Sequence, residues 1–61
     1  MTALKDIVHE TAEHWVLKTA KGFEVYRNEA THSVRCATIG FQGAEGMRRA
    51  LAEIDRRESA A

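Results

Sequence analysis

The run His9-Glu10-Thr11-Ala12-Glu13-His14 is the first place where residue types in this sequence suggest chemistry. Two histidines four apart on a helix, with a glutamate between them, form a zinc-protease motif because both rings then share one face. Here the separation is five, which turns the second ring about 140° from the first on a helix, and a strand sends it elsewhere entirely. His32 has no partner nearby in sequence. No metal site and no cofactor are therefore expected. Cys36 paired with a histidine would be a nucleophile, but no acid and no glycine elbow accompany it, and a cysteine inside an apolar alternation packs. Gly40, Gly43 and Gly46 punctuate a strand-to-helix passage, yet their spacing is that of neither a dinucleotide fold nor a phosphate loop, and no Lys-Ser or Lys-Thr follows. Catalysis needs a concave pocket of converging groups, which a chain this short rarely encloses. No enzymatic activity is expected.

The elements that would hold these residues can be read in turn. From Ala44 onward Met47, Ala50, Leu51 and Ile54 recur at three and four residues, the stripe of an amphipathic helix, in a segment rich in good helix formers. Glu45 and Arg49, then Glu53 and Arg57, stand four apart with the acid first, and Arg56 and Arg57 fall where the helix dipole favours cations. These charges read as a solvated face, and Leu51 as part of the core.

Trp15-Val16-Leu17, Phe23-Glu24-Val25-Tyr26 and Val34-Arg35-Cys36-Ala37-Thr38-Ile39 alternate β-branched or aromatic residues with polar ones, as strands do. Ala20-Lys21-Gly22 and Asn28-Glu29-Ala30-Thr31 are short enough to be hairpin connections. Period-two alternation then puts Trp15, Leu17, Phe23, Val25, Val34 and Cys36 beneath the helix. His14, Val16, Lys18, Glu24, Tyr26, Arg35, Ala37 and Ile39 fall on the opposite face. Near the start, Leu4, Ile7, Val8 and Ala12 predict a short helix, weakened by the like charges of Asp6 and Glu10 four apart. A rival pattern continues that helix through Trp15 to Lys21, with Gly22 as its stop.

The expected fold is therefore α+β: a short N-terminal helix, a three-stranded antiparallel β-meander, and a C-terminal amphipathic helix packed on one sheet face. Sixty-one residues, 44% hydrophobic and 30% charged, suffice for one small domain, with residues 59–61 as a frayed tail. A single cysteine excludes an internal disulfide framework. No apolar run nears the roughly 18 residues of a membrane span, and Met1 to Ala12 lacks the pattern of a secretory signal, so a cytoplasmic, membrane-free protein is expected.

Nine Lys and Arg balance nine Asp and Glu, so no overall field draws the chain to nucleic acid or anionic membrane. What remains is a surface that binds. Tyr26, Arg35, Lys18, His14 and Val16 combine the aromatic and basic character of interface hot spots and are the candidate partner-binding residues. Lys18, Lys21, Arg27 and Arg35 are the candidates for nucleic acid. So small a core also favours a homodimer.

Ile39-Gly40-Phe41, followed by a helix bearing Ala50 and Ala52-Glu53-Ile54-Asp55-Arg56, resembles the last strand and helix of AP2-like and integrase arm-binding DNA domains. The likeness covers the final third of the chain and implies three strands on one helix with a sheet that reads DNA; the sparse basic residues over Trp15 to Tyr26 depart from it. The element order is also similar to double-stranded RNA-binding domains, with Gly46-Met47-Arg48-Arg49 replacing their lysine-rich helix start. The ending Ala50-Leu51-Ala52-Glu53-Ile54-Asp55-Arg56-Arg57-Glu58 resembles the terminal helix of small phage and mobile-element accessory proteins, including anti-CRISPR inhibitors. That likeness implies a non-enzymatic inhibitor or adaptor that occupies a site on a larger protein or nucleoprotein machine. A sheet-reading DNA-binding module is the alternative.

Overall fold

A computed structural model describes residues 6–59. Four strands, β1 (Ile7–Glu10), β2 (His14–Thr19), β3 (Gly22–Asn28) and β4 (Ser33–Ile39), are followed by one helix, α1 (Gly43–Ser59). The strands form an antiparallel sheet in sequence order, and α1 lies across one side of it, chiefly over β3 and β4. The α+β class and the three later strands match the sequence reading. The predicted N-terminal helix does not form: residues 7–10 are a strand, and the rival helix through Lys21 is replaced by β1, β2 and the turn between them. Leu4 lies outside the described residues. Ile7 and Val8 are β-branched and suit a strand, and Thr11 closes the hairpin, its hydroxyl accepting hydrogen bonds from the amides of Glu13 and His14. Ser59 ends the helix rather than opening a tail, and residues 60–61 lie outside the description.

The buried apolar core is Val16, Phe23, Val25, Ala50 and Ile54, with Cys36, Ala37, Ile39 and Met47 packed around it. Along α1 the buried residues are Gly46, Ala50 and Ile54, each four apart, and Glu58 continues the same line. Their side chains lengthen from none to methyl to sec-butyl to carboxyethyl, so the helix sits closest to the sheet at Gly46. A Cβ there would overlap the Phe41 carbonyl and meet the Phe23 ring, which is why a glycine occupies the fourth position of an otherwise good helix. Leu51 is 37% exposed, and the anchor predicted there is supplied by Ile54. Gly43, at φ 67°, makes the turn from β4 into the helix.

Two details of the sheet reverse the expected faces. The β2–β3 turn contains Ala20 and Lys21 only, with Thr19 opposite Gly22. This pairs Trp15 with Tyr26, whereas a three-residue turn would pair Val16 with Tyr26. One residue of offset turns every side chain of a strand over. His14, Val16 and Lys18 consequently lie on the helix side, and Trp15 and Leu17 on the open side. In β4, Val25 pairs with Ala37 and the adjacent Tyr26 with Arg35, so Cys36 is the extra residue of a bulge. Beyond it, Ala37 and Ile39 pack toward the helix instead of facing outward. The Cys36 carbonyl accepts a hydrogen bond from Arg57 at 3.0 Å, tying the bulge to the last turn of α1.

Candidate functional site

The sheet has one face under α1 and one without a cover among the described residues, and the molecule measures only 14 Å in its thin direction. Register places two rows across the open face. The first takes one residue from each strand: Glu10, Trp15, Tyr26 and Arg35. The second, beside it, is Ile7, Leu17, Glu24 and Thr38. Trp15 and Tyr26 stack with ring centroids 4.2 Å apart and planes within 8°, an arrangement that adds about 0.5–1.5 kcal/mol beyond area burial. The Trp15 indole N–H donates to Ser33 Oγ at 3.1 Å, and Ser33 donates onward to Asn28, which fixes the indole from its far end. Tyr26 Oη donates to Glu24 at 2.8 Å, and Arg35 reaches the other oxygen of that carboxylate at 3.4 Å. The hydrogen bond to Glu24 raises the pKa of the Tyr26 phenol above 10.0, because ionisation would remove the donated proton beside a carboxylate; burial adds to the rise and Arg35 opposes it.

Of the five predicted partner-binding residues, Tyr26 and Arg35 share this face. Val16 is 0% exposed and His14 4%, both beneath or beside α1, and Lys18 lies on the helix side near Phe23 and Met47. The four nucleic-acid candidates are likewise dispersed: Lys18 toward the helix, Lys21 in the β2–β3 turn, Arg27 paired with Glu29 at 3.2 Å, and Arg35 with Glu24. Sequence reasoning missed Ile7, Glu10, Trp15 and Leu17 on the open face. The turn length was the available signal, since a two-residue turn at Ala20-Lys21 brings the two large aromatics opposite each other.

His14, a buried polar residue, has a different task. Its Nδ1–H donates to Glu58 Oε2 at 2.8 Å, and the Thr11 hydroxyl donates to the same oxygen at 2.6 Å. The Thr11 and His14 hydrogen bonds hold the Glu58 carboxyl below the usual carboxylate range. Glu13, His14 and Glu58 offer ligand atoms within 4.8 Å of one another. In this arrangement, however, Glu58 Oε2 is filled by two donors, and the group clips the β1–β2 turn to the end of α1. On the far side of the helix, a shallow cavity of about 400 Å³ is lined by Ile39, Phe41, Arg49, Ala52, Glu53 and Arg56. Its carboxylate, Glu53, is held by Arg56 and Arg57, and the Arg49 guanidinium lies 3.9 Å over the Phe41 ring.

No helix among the described residues is long and apolar enough to cross a membrane. Compared with known proteins, the chain matches no family model, no curated protein and no solved structure.

Proposed function

We propose that this chain is a non-enzymatic interaction protein that acts by docking its open sheet face on another protein surface, as a stoichiometric inhibitor or adaptor does. The observation that carries this reading is the row Glu10–Trp15–Tyr26–Arg35, in which a stacked aromatic pair lies between an acid and a base on a face that α1 leaves free. Aromatic and arginine side chains dominate binding hot spots because they offer large, stiff contact areas with polar ends. The charge of the face favours protein over nucleic acid: Arg35 is matched by Glu24, Glu10 adds an acid, and the other candidate cations point elsewhere. Phosphate binding needs several unmatched cations on one surface.

The test is capture from the native host on immobilised protein, with and without nuclease, comparing the wild type with Trp15→Ala and with Leu51→Ala as a control on the opposite side. Nuclease-resistant capture that Trp15→Ala abolishes and Leu51→Ala retains supports the reading. Equal capture by wild type and Trp15→Ala overturns it, and so does capture that nuclease removes. The alternative DNA-binding module would bind duplex with an affinity falling steeply as salt rises, by about 0.9 log units per log of salt for each phosphate neutralised.

A further inference from the structure

We infer that the occupant of the open face is a second copy of this chain, related by a twofold axis parallel to the strands. The inference rests on the docking reading and concerns the chain before it meets another protein, which would displace the second copy from the same face. The row across the four strands is oppositely charged at its two ends, with Glu10 at the β1 edge and Arg35 at the β4 edge. When two such faces meet about an axis along the strands, the row of one copy runs opposite to that of the other. Glu10 then faces Arg35 of the second copy at both ends, and Trp15 faces Tyr26 in the middle. A twofold axis along the row would instead set Glu10 against Glu10 and Arg35 against Arg35, so the charges select the first arrangement. Arg35 can turn from Glu24 to make the exchange: its side chain is 58% exposed and its contact with Glu24 is 3.4 Å long. Size sets the strength of the contact: the broad side of the molecule is 28 by 27 Å, the four strands, about 4.8 Å apart, take up only part of it, and the interface is correspondingly a modest one, below the ~800 Å² that each partner contributes to a stable complex. Face-to-face sheets pack about 10 Å apart, a gap that the aromatic pairs fill and that Glu and Arg side chains span at the rim.

The experiment is sedimentation velocity from about 1 μM to about 1 mM, the range in which a modest interface shows its dissociation constant, with acrylamide quenching of the sole tryptophan, Trp15, followed in the same samples. The wild type should pass from monomer to dimer, with Trp15 becoming shielded over the same concentrations. Glu10→Arg and Arg35→Glu should each weaken the dimer about tenfold or more, since each places like charges at both ends of the interface. Mixed one to one, the two variants should restore a dimer, because the facing pairs at both ends of the row are again opposite in charge; circular dichroism confirms that each variant is folded. A dimer in which Trp15 stays as accessible as in the monomer overturns the inference, as does a mixture no more associated than its components. A wild type that is monomeric throughout, together with capture of another protein that depends on Trp15, overturns the second copy and leaves the docking reading standing. A monomer without such capture removes both.

Discussion

The two faces of the sheet are built from similar side chains and packed to different extents. On the covered face Val16 and Val25 are wholly buried and Phe23 nearly so, against Ala50 and Ile54 of the helix. On the open face Ile7, Trp15, Leu17, Glu24 and Tyr26 are only half-buried, shielded by one another across the strands. Polar groups divide in the same way. The covered side closes His14, the one buried polar residue among those described, into a set with Thr11 and Glu58, whereas the open side leaves Arg35 more than half exposed beside Glu24. A domain with a single small core is only marginally stable. This one places its largest aromatic, Trp15, where it contributes little to that core. Stability lies on one side of the sheet, and recognition is proposed for the other.

The sharpest way to break this contrast is to truncate the helix anchor. Ile54→Ala should cost about 2–5 kcal/mol, enough to unfold most of the population at room temperature. Leu51→Ala, three residues earlier on the exposed flank, should cost less than about 1 kcal/mol. Urea melts read both, and equal losses would place the core elsewhere. Gly46→Ala comes next. Alanine is about 1 kcal/mol better than glycine in a helix interior, yet here it meets the Phe41 backbone, and overpacking should leave a net loss of about 1–3 kcal/mol in the same melts. On the open side, Trp15→Ala should leave the chain folded in the same melts while losing the stacking with Tyr26, about 0.5–1.5 kcal/mol beyond the area its half-buried ring covers.

Two smaller effects are read by pH. Because the Thr11 and His14 hydrogen bonds lower the pKa of Glu58 in the folded chain, its contribution is fully present above the ordinary carboxylate value and is lost as pH falls through the lowered one. The stability gap between wild type and Glu58→Gln should therefore be open at neutral pH and close in strong acid; a gap independent of pH would mean the clip is not ionic. At the other end of the scale, the raised pKa of Tyr26 favours the fold below the ordinary tyrosine value, a contribution lost as pH rises through the raised one. As the chain has one tyrosine, its ultraviolet titration reports this site alone. The midpoint should lie above 10.0 and fall back in Glu24→Gln.

How much of this was legible in the sequence follows from what sets each feature. Helix α1 and strands β2 to β4 announced themselves because their signals are local: a three-to-four stripe, i to i+4 ion pairs and runs of β-branched residues. The ion pairs of Glu45 with Arg49 and Glu53 with Arg57 form as their spacing implies. Strand β1 was hidden because Ile7 and Val8 sit together without alternation, at a place where the pairing with β2 shifts register between Ile7 and His9. Face assignment failed in β2 because Trp15 with Leu17, and Val16 alone, are equally plausible inward sets. The choice depends on whether Gly22 belongs to the turn or to the strand, and the pairing makes it strand. In β4 the alternation broke at Cys36, since nothing local marks a bulge whose carbonyl is claimed by Arg57, 21 residues later. The Glu58 clip was out of reach for the same reason: His14 and Glu58 lie 44 residues apart and meet only because α1 returns across the sheet.

Acrylamide quenching of Trp15, measured on the free chain and on the chain saturated with a protein it captures, tests the proposed use of the open face most directly. Docking there predicts that the quenching constant falls severalfold on saturation, while Leu51→Ala behaves as wild type. A quenching constant that stays the same when the partner is bound would show that recognition occurs on some other surface.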